Sequence, residues 1–103
     1  KAATAASVLL AREQTAQMVA RAYVAALRAE AAVTAARANV ALAERLEALA
    51  ETQRRAGTGT RIELTRSQVQ RQNERQRLLV AENEAKKAHL ELKRVTGVDW
   101  EQE

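Results

Sequence analysis

The 103 residues contain no cysteine, no proline and no phenylalanine, and only one tryptophan, one tyrosine and one histidine. Without cysteine there is neither a disulfide nor thiol chemistry, which leaves the redox compartment open. Without proline nothing breaks a helix from within. One histidine, His89, cannot supply the several nitrogen or sulfur ligands that zinc requires. Set among Lys86, Lys87 and Glu91, it reads as a surface residue. No strand is expected, so no Gly-rich phosphate loop follows one. Carboxylates are frequent, but they alternate with Arg and Lys as helix-face pairs, each contributing roughly a few tenths of a kcal/mol. These absences point away from an enzyme, a cofactor or a metal. No apolar run approaches the roughly 20 residues that span a bilayer as a helix. The net charge of +4 is spread along the chain and has no aromatic side chains interleaved with it, so nucleic acid is not implied.

Alanine dominates the apolar residues, and Glu, Arg, Leu and Gln make up much of the rest, the bias of coiled coils and long helices. Two of the three glycines fall together in Arg54-Arg55-Ala56-Gly57-Thr58-Gly59-Thr60-Arg61-Ile62-Glu63. Gly57 reads as the left-handed residue just past a helix C-terminus, with Arg54 and Arg55 in the last turn, where cations suit the helix dipole. Thr60 and Glu63 have the spacing of a capping box, in which the Thr60 hydroxyl accepts from the Glu63 amide and the Glu63 carboxylate reaches back. One helix stops and another starts within a few residues, so the expected fold is all-α, a long antiparallel two-helix coiled-coil hairpin. Its expected parts are a helix over 2–56, a tip at 57–59, a helix over 60–96 capped by Gly97, and a short tail over 97–103 with Trp100 as a packing anchor.

The first helix would be about 80 Å long at 1.5 Å per residue, far beyond the width of a globular domain of this size. Val19, Ala22, Ala26, Ala29, Val33, Ala36 and Val40 follow alternating three- and four-residue steps, the seam of a coiled coil. Leu42, Leu46 and Leu49 continue through Gln53 to Ala56 as a second, offset stripe. Two stripes mean neighbours on two sides, as in a stave of a closed ring of helices. On the second helix Leu64, Arg71, Leu78, Ala85 and Leu92 fall seven apart, beside a row of Ala81, Ala88 and Val95. Residues 65–77 hold only Val69 as an apolar residue and read as a solvated helix. With the turn centred near Thr58, residues whose numbers add to about 116 should face each other, as in any antiparallel hairpin. Residues 2–20, with Val8, Leu9, Leu10 and Val19, then lack a partner, so the chain is expected to be a piece of a longer protein and to self-associate.

Four stretches together resemble a known family: Ala22-Tyr23-Val24-Ala25-Ala26-Leu27, Val40-Ala41-Leu42-Ala43-Glu44, Arg55-Ala56-Gly57-Thr58-Gly59-Thr60-Arg61-Ile62-Glu63-Leu64, and Leu92-Lys93-Arg94-Val95-Thr96-Gly97. They look like the outer membrane efflux protein family, the TolC-like outer membrane factors. The spacing from the tip to Gly97 is the most telling part. The resemblance implies a periplasmic hairpin from one of the family's two repeats, a segment of a trimeric α-barrel below an outer-membrane β-barrel. It implies location in the Gram-negative cell envelope and export of drugs, small molecules or proteins. It also implies docking of a periplasmic adaptor protein and, through it, an inner-membrane pump. Ala56, Gly57, Thr58 and Gly59 stand at the adaptor-contact tip, with Ala56 where the family usually has Val. Glu63 stands where the family commonly has an Asp at the periplasmic entrance. Arg61 and Arg66 lie beside it, Arg66 at a place where some relatives have a second acid. Two other readings remain: the coiled-coil hairpin of a periplasmic adaptor, for which Arg61-Ile62-Glu63 only poorly echoes the expected tip motif, and a purely structural coiled coil.

Overall fold

A computed structural model describes the backbone over residues 2–102 and the side chains over residues 3–97. Two helices account for nearly all of it: α1, Ala2–Arg55, and α2, Arg61–Gln102. They run antiparallel as a hairpin with extents of 83 × 20 × 14 Å. Neither has an internal Pro, so backbone hydrogen bonding runs unbroken from end to end.

The two helices meet along one seam of alternating three- and four-residue steps. On α1 it passes through Val19, Ala22, Ala26, Ala29, Val33, Ala36 and Val40 and goes on through Ala43, Glu47 and Ala50; all are buried or half-buried. On α2 it passes through Leu64, Ser67, Arg71, Glu74, Leu78, Ala81, Ala85, Ala88, Leu92 and Val95. Three-and-four steps return a side chain to one face of a supercoiled helix, which is why residues this far apart share a seam. Small Ala side chains bury little area each but let the helices approach closely along their length.

One flank of the seam is laced by pairs of charged and polar side chains. Glu30 faces His89 (2.8 Å), Arg37 faces Glu82 (3.9 Å) and Glu44 faces Arg75 (3.7 Å), at positions seven apart on both helices. Such exposed pairs contribute about 0–1 kcal/mol each. Their value here is geometric, because they mark the register. In these three pairs the residue numbers add to 119, and in Arg71–Glu47 they add to 118, not to about 116. The offset arises at the tip, where residues after α1 wrap back over its last turn, so the chain reverses beyond Thr58.

Three sequence expectations are corrected. Gly97 does not end α2; it has no positive φ, and the helix continues to Gln102. A lone glycine costs a helix about 1 kcal/mol but need not stop it, and no proline follows. The tail over 97–103 is therefore helical through Gln102, while the Trp100 side chain lies outside the described residues. Residues 65–77 are not solvated all round, since Ser67, Arg71 and Glu74 turn into the seam. Finally, the longer α2 covers more of α1 than expected: Val19 is half-buried and shares a groove with Leu92, so the uncovered stretch is shorter and centres on Val8, Leu9 and Leu10.

Candidate partner-docking tip

The tip is built by a Schellman motif. Gly57, at φ 81°, is the left-handed residue past α1. Its amide donates to Arg54 O (3.1 Å), and the next amide, of Thr58, donates to Gln53 O (2.9 Å). These are the 5→2 and 6→1 bonds that satisfy the last carbonyls of a helix. Gln53 O accepts twice more, from the Gly59 amide (3.0 Å) and the Thr58 hydroxyl (3.1 Å). The chain is thus coiled tightly over the end of α1. A Cβ on Gly59 would stand 3.0 Å from Gln53 Cβ and 3.3 Å from the Arg54 nitrogen. The turn thus requires Gly57 by its backbone angle and favours glycine at 59, where an added Cβ would be tight against Gln53.

On the other side, the Thr60 hydroxyl accepts from the Glu63 amide at 3.2 Å, half of the expected capping box. The return bond from the Thr60 amide to the Glu63 carboxylate is not made among the described residues. Glu63 still lies in the first turn of α2, where a negative charge suits the helix dipole. Leu64, buried, closes the seam just behind the tip.

Ala56, Gly57 and Thr58 are exposed and Gly59 is half-buried. Arg61, Glu63 and Arg66 are exposed as well. Among the described residues Arg54, Arg61 and Arg66 have no carboxylate within 4 Å, whereas Arg55 is held by Glu51 at 3.0 Å. The tip therefore offers free guanidinium groups around a rigid backbone loop. On α2, Arg61, Ile62, Thr65, Arg66, Val69 and Gln70 line a shallow, mainly apolar groove that begins at the tip.

A polar layer, of which the seven-residue spacing of the second helix marks only Arg71, lies a few turns up the seam. Arg71 Nη1 lies 3.0 Å from Glu47 Oε1 and 2.9 Å from Glu47 Oε2, and only the first contact is aligned as a hydrogen bond. Glu74, only 6% exposed, accepts from Gln70 (2.9 Å) and Arg77 (3.2 Å) on one oxygen. Glu47 Oε2, Arg71 Nε and Glu74 Oε2 are buried without a hydrogen-bond partner. The signal was present in the spacing: continuing the α1 seam past Val40 by three- and four-residue steps reaches Ala43 and then Glu47.

Elsewhere the Arg94 guanidinium hydrogen-bonds the exposed Glu91 carboxylate at 2.6 and 3.1 Å and holds its pKa below the ordinary value. No group of three or more His, Cys, Asp or Glu side chains is placed to hold a metal among the described residues. No helix there is long and apolar enough to cross a membrane. No protein-family model, no curated protein and no solved structure matches the chain.

Proposed function

We infer that this hairpin is one stave of the periplasmic α-barrel of a trimeric outer-membrane export channel, working in a tripartite efflux or secretion system. Its tip, Ala56 to Gly59, would dock a periplasmic adaptor linked to an inner-membrane pump. Arg61, Glu63 and Arg66 would stand at the channel entrance. The chain itself would do no catalysis. A conduit of this kind passes cargo without binding it tightly, so its wall needs no cofactor.

One observation carries the reading. Leu42, Leu46 and Leu49 are 54%, 47% and 52% exposed on the flank of α1 opposite the ion pairs, although α2 covers the seam beside them. A free-standing hairpin has no use for a regular leucine stripe facing water. A stave between two neighbours does. The resemblance of the tip and its spacing to the outer membrane factors supports the same reading, and the free guanidinium groups at the tip suit a contact surface.

Leu46→Glu tests it. In the isolated hairpin the change should leave helicity and melting nearly unaltered, because position 46 is already exposed. In the longer protein it should abolish trimer assembly. A trimer that forms normally with Glu at 46 would end the stave reading and favour a purely structural coiled coil.

A further inference from the structure

We propose that the outer face of α2 at the tip is a docking groove for a helix of another protein, one with an apolar stripe bordered by carboxylates. This rests on the reading that the tip end meets a partner, and names the chemistry of that partner's surface. Ile62, 67% exposed, is the most exposed large apolar side chain among the described residues. Thr65 and Val69 follow it at three and seven residues, so the Thr methyl and two branched side chains form a single stripe. That spacing is what a second helix laid alongside would engage. The stripe stops after Val69, since Gln72, Asn73 and Gln76 continue the face as polar residues. It is about two turns long, which limits the contact to a small, transient interface.

The borders of the stripe choose the partner's charge. Arg61 stands on one side and Arg66 on the other, both exposed and without a carboxylate within 4 Å among the described residues. Two unpaired cations flanking an apolar strip favour an acidic helix and repel a basic one. The chain's own surfaces meet that requirement only in part. The leucine stripe of α1 is bordered by Arg45, and the uncovered stretch near Leu9 by Arg12 and by Glu13, one carboxylate where the groove presents two cations. The carboxylates beside the exposed apolar residues of α2, Glu82, Glu84 and Glu91, are already held by Arg37, Lys87 and Arg94. A second copy of this chain is therefore a poor fit, and the occupant is a different protein.

Two fluorescent helical peptides, each about three heptads long, provide the probe. They share one Leu/Ala stripe and differ only in its borders, Glu in one and Lys in the other. Anisotropy titration against the hairpin should show the Glu peptide binding at least about tenfold more tightly than the Lys peptide. That preference should weaken as salt rises from about 0.05 to 0.3 M. Arg61→Glu with Arg66→Glu should reverse it, and Ile62→Asp should abolish binding of both peptides. Circular dichroism should remain that of the parent chain, because these side chains are exposed. Equal binding of the two peptides, or a preference that survives the double reversal, overturns the proposal. So does binding to phosphatidylglycerol vesicles, but not to the Glu peptide, that is lost on double reversal; the face would then be a lipid contact. A change in self-association on double reversal, with no peptide bound, also overturns it in favour of a second copy. The titration uses the hairpin alone, whereas export is measured in cells, so a failure here is separable from a failure of the export reading.

Discussion

Gly59 lies so close to Gln53 that a single added methyl would stand 3.0 Å from the Gln53 Cβ. The same Gln53 carbonyl accepts from the Thr58 amide, the Thr58 hydroxyl and the Gly59 amide, so the tip is wound onto the last turn of α1. The three glycines of this chain therefore respond differently to substitution. Gly59→Ala should destabilise the hairpin by about 1 kcal/mol or more through overpacking. Gly57→Val should cost about the same or more, because a β-branched residue is penalised at positive φ. Gly97→Ala, in open space within α2, should stabilise by about 0.5–1 kcal/mol. Urea denaturation of the three variants checks the order; a Gly97→Ala variant less stable than the parent would show that residue 97 is not helical.

The polar layer gives a second test. Arg71→Leu leaves the half-buried Glu47 carboxylate without its guanidinium partner, and should destabilise by about 1–3 kcal/mol. Replacing Glu47, Arg71 and Glu74 together by Leu should be neutral or stabilising, because no charge is left desolvated. Denaturant midpoints compare the two directly. An Arg71→Leu variant as stable as the parent would mean that water already reaches the layer.

Much of this hairpin was legible in the sequence because repeated signals agree. The seam from Val19 to Val40 obeys one spacing, and Gly57 and Thr60 mark a stop and a start three residues apart. What was missed depends on geometry that one chain's residue types do not encode. Gly97 has the same local appearance as a cap, with Lys93 and Arg94 before it, but only the backbone angle distinguishes a helix end from a helix interior. Residues 65–77 look solvated by composition, yet Arg71 and Glu74 face the seam because small neighbours, Ala43 and Ala50, flank the facing Glu47. The register shifted because the tip residues coil back over α1, a consequence of the Gln53 hydrogen bonds. The second stripe, Leu42 to Leu49, is legible as separate from the seam because its offset from the seam spacing is plain in the sequence, and its leucines are exposed.

Self-association follows from the uncovered end of α1. Val8, Leu9 and Leu10 are all about half exposed or more, within one turn of α1 that no facing helix covers among the described residues. Sedimentation of the 103-residue chain should show concentration-dependent oligomers, and Leu9→Glu with Leu10→Glu should reduce them. A monodisperse monomer at high concentration would contradict this.

The Glu91–Arg94 pair predicts a specific titration. Arg94 holds the Glu91 carboxyl below its ordinary value, chiefly by hydrogen bonding, against an opposing effect of desolvation and with a lesser contribution from charge. A depressed carboxylate pKa gives stability that is present above the unfolded value and is lost as pH falls through the folded one. Both groups are exposed, so the consequence for folding is small and the readout is the site itself. Carbon-detected NMR titration should show the Glu91 midpoint rising toward the ordinary carboxylate value in Arg94→Gln. An unchanged midpoint would mean that the pair does not persist in solution.

The central claim is that the tip of this hairpin meets a partner on which export depends. Gly59→Asp does not test it cleanly, because a side chain there would crowd Gln53. Thr58→Asp does: the side chain is exposed, the two backbone bonds to Gln53 O remain, and an anion there opposes a partner bordered by carboxylates. The measurement is substrate efflux by cells expressing the full-length protein with Thr58→Asp, alongside cross-linked trimer in the outer membrane. The account predicts normal trimer with efflux lost. Normal trimer with normal efflux would contradict it.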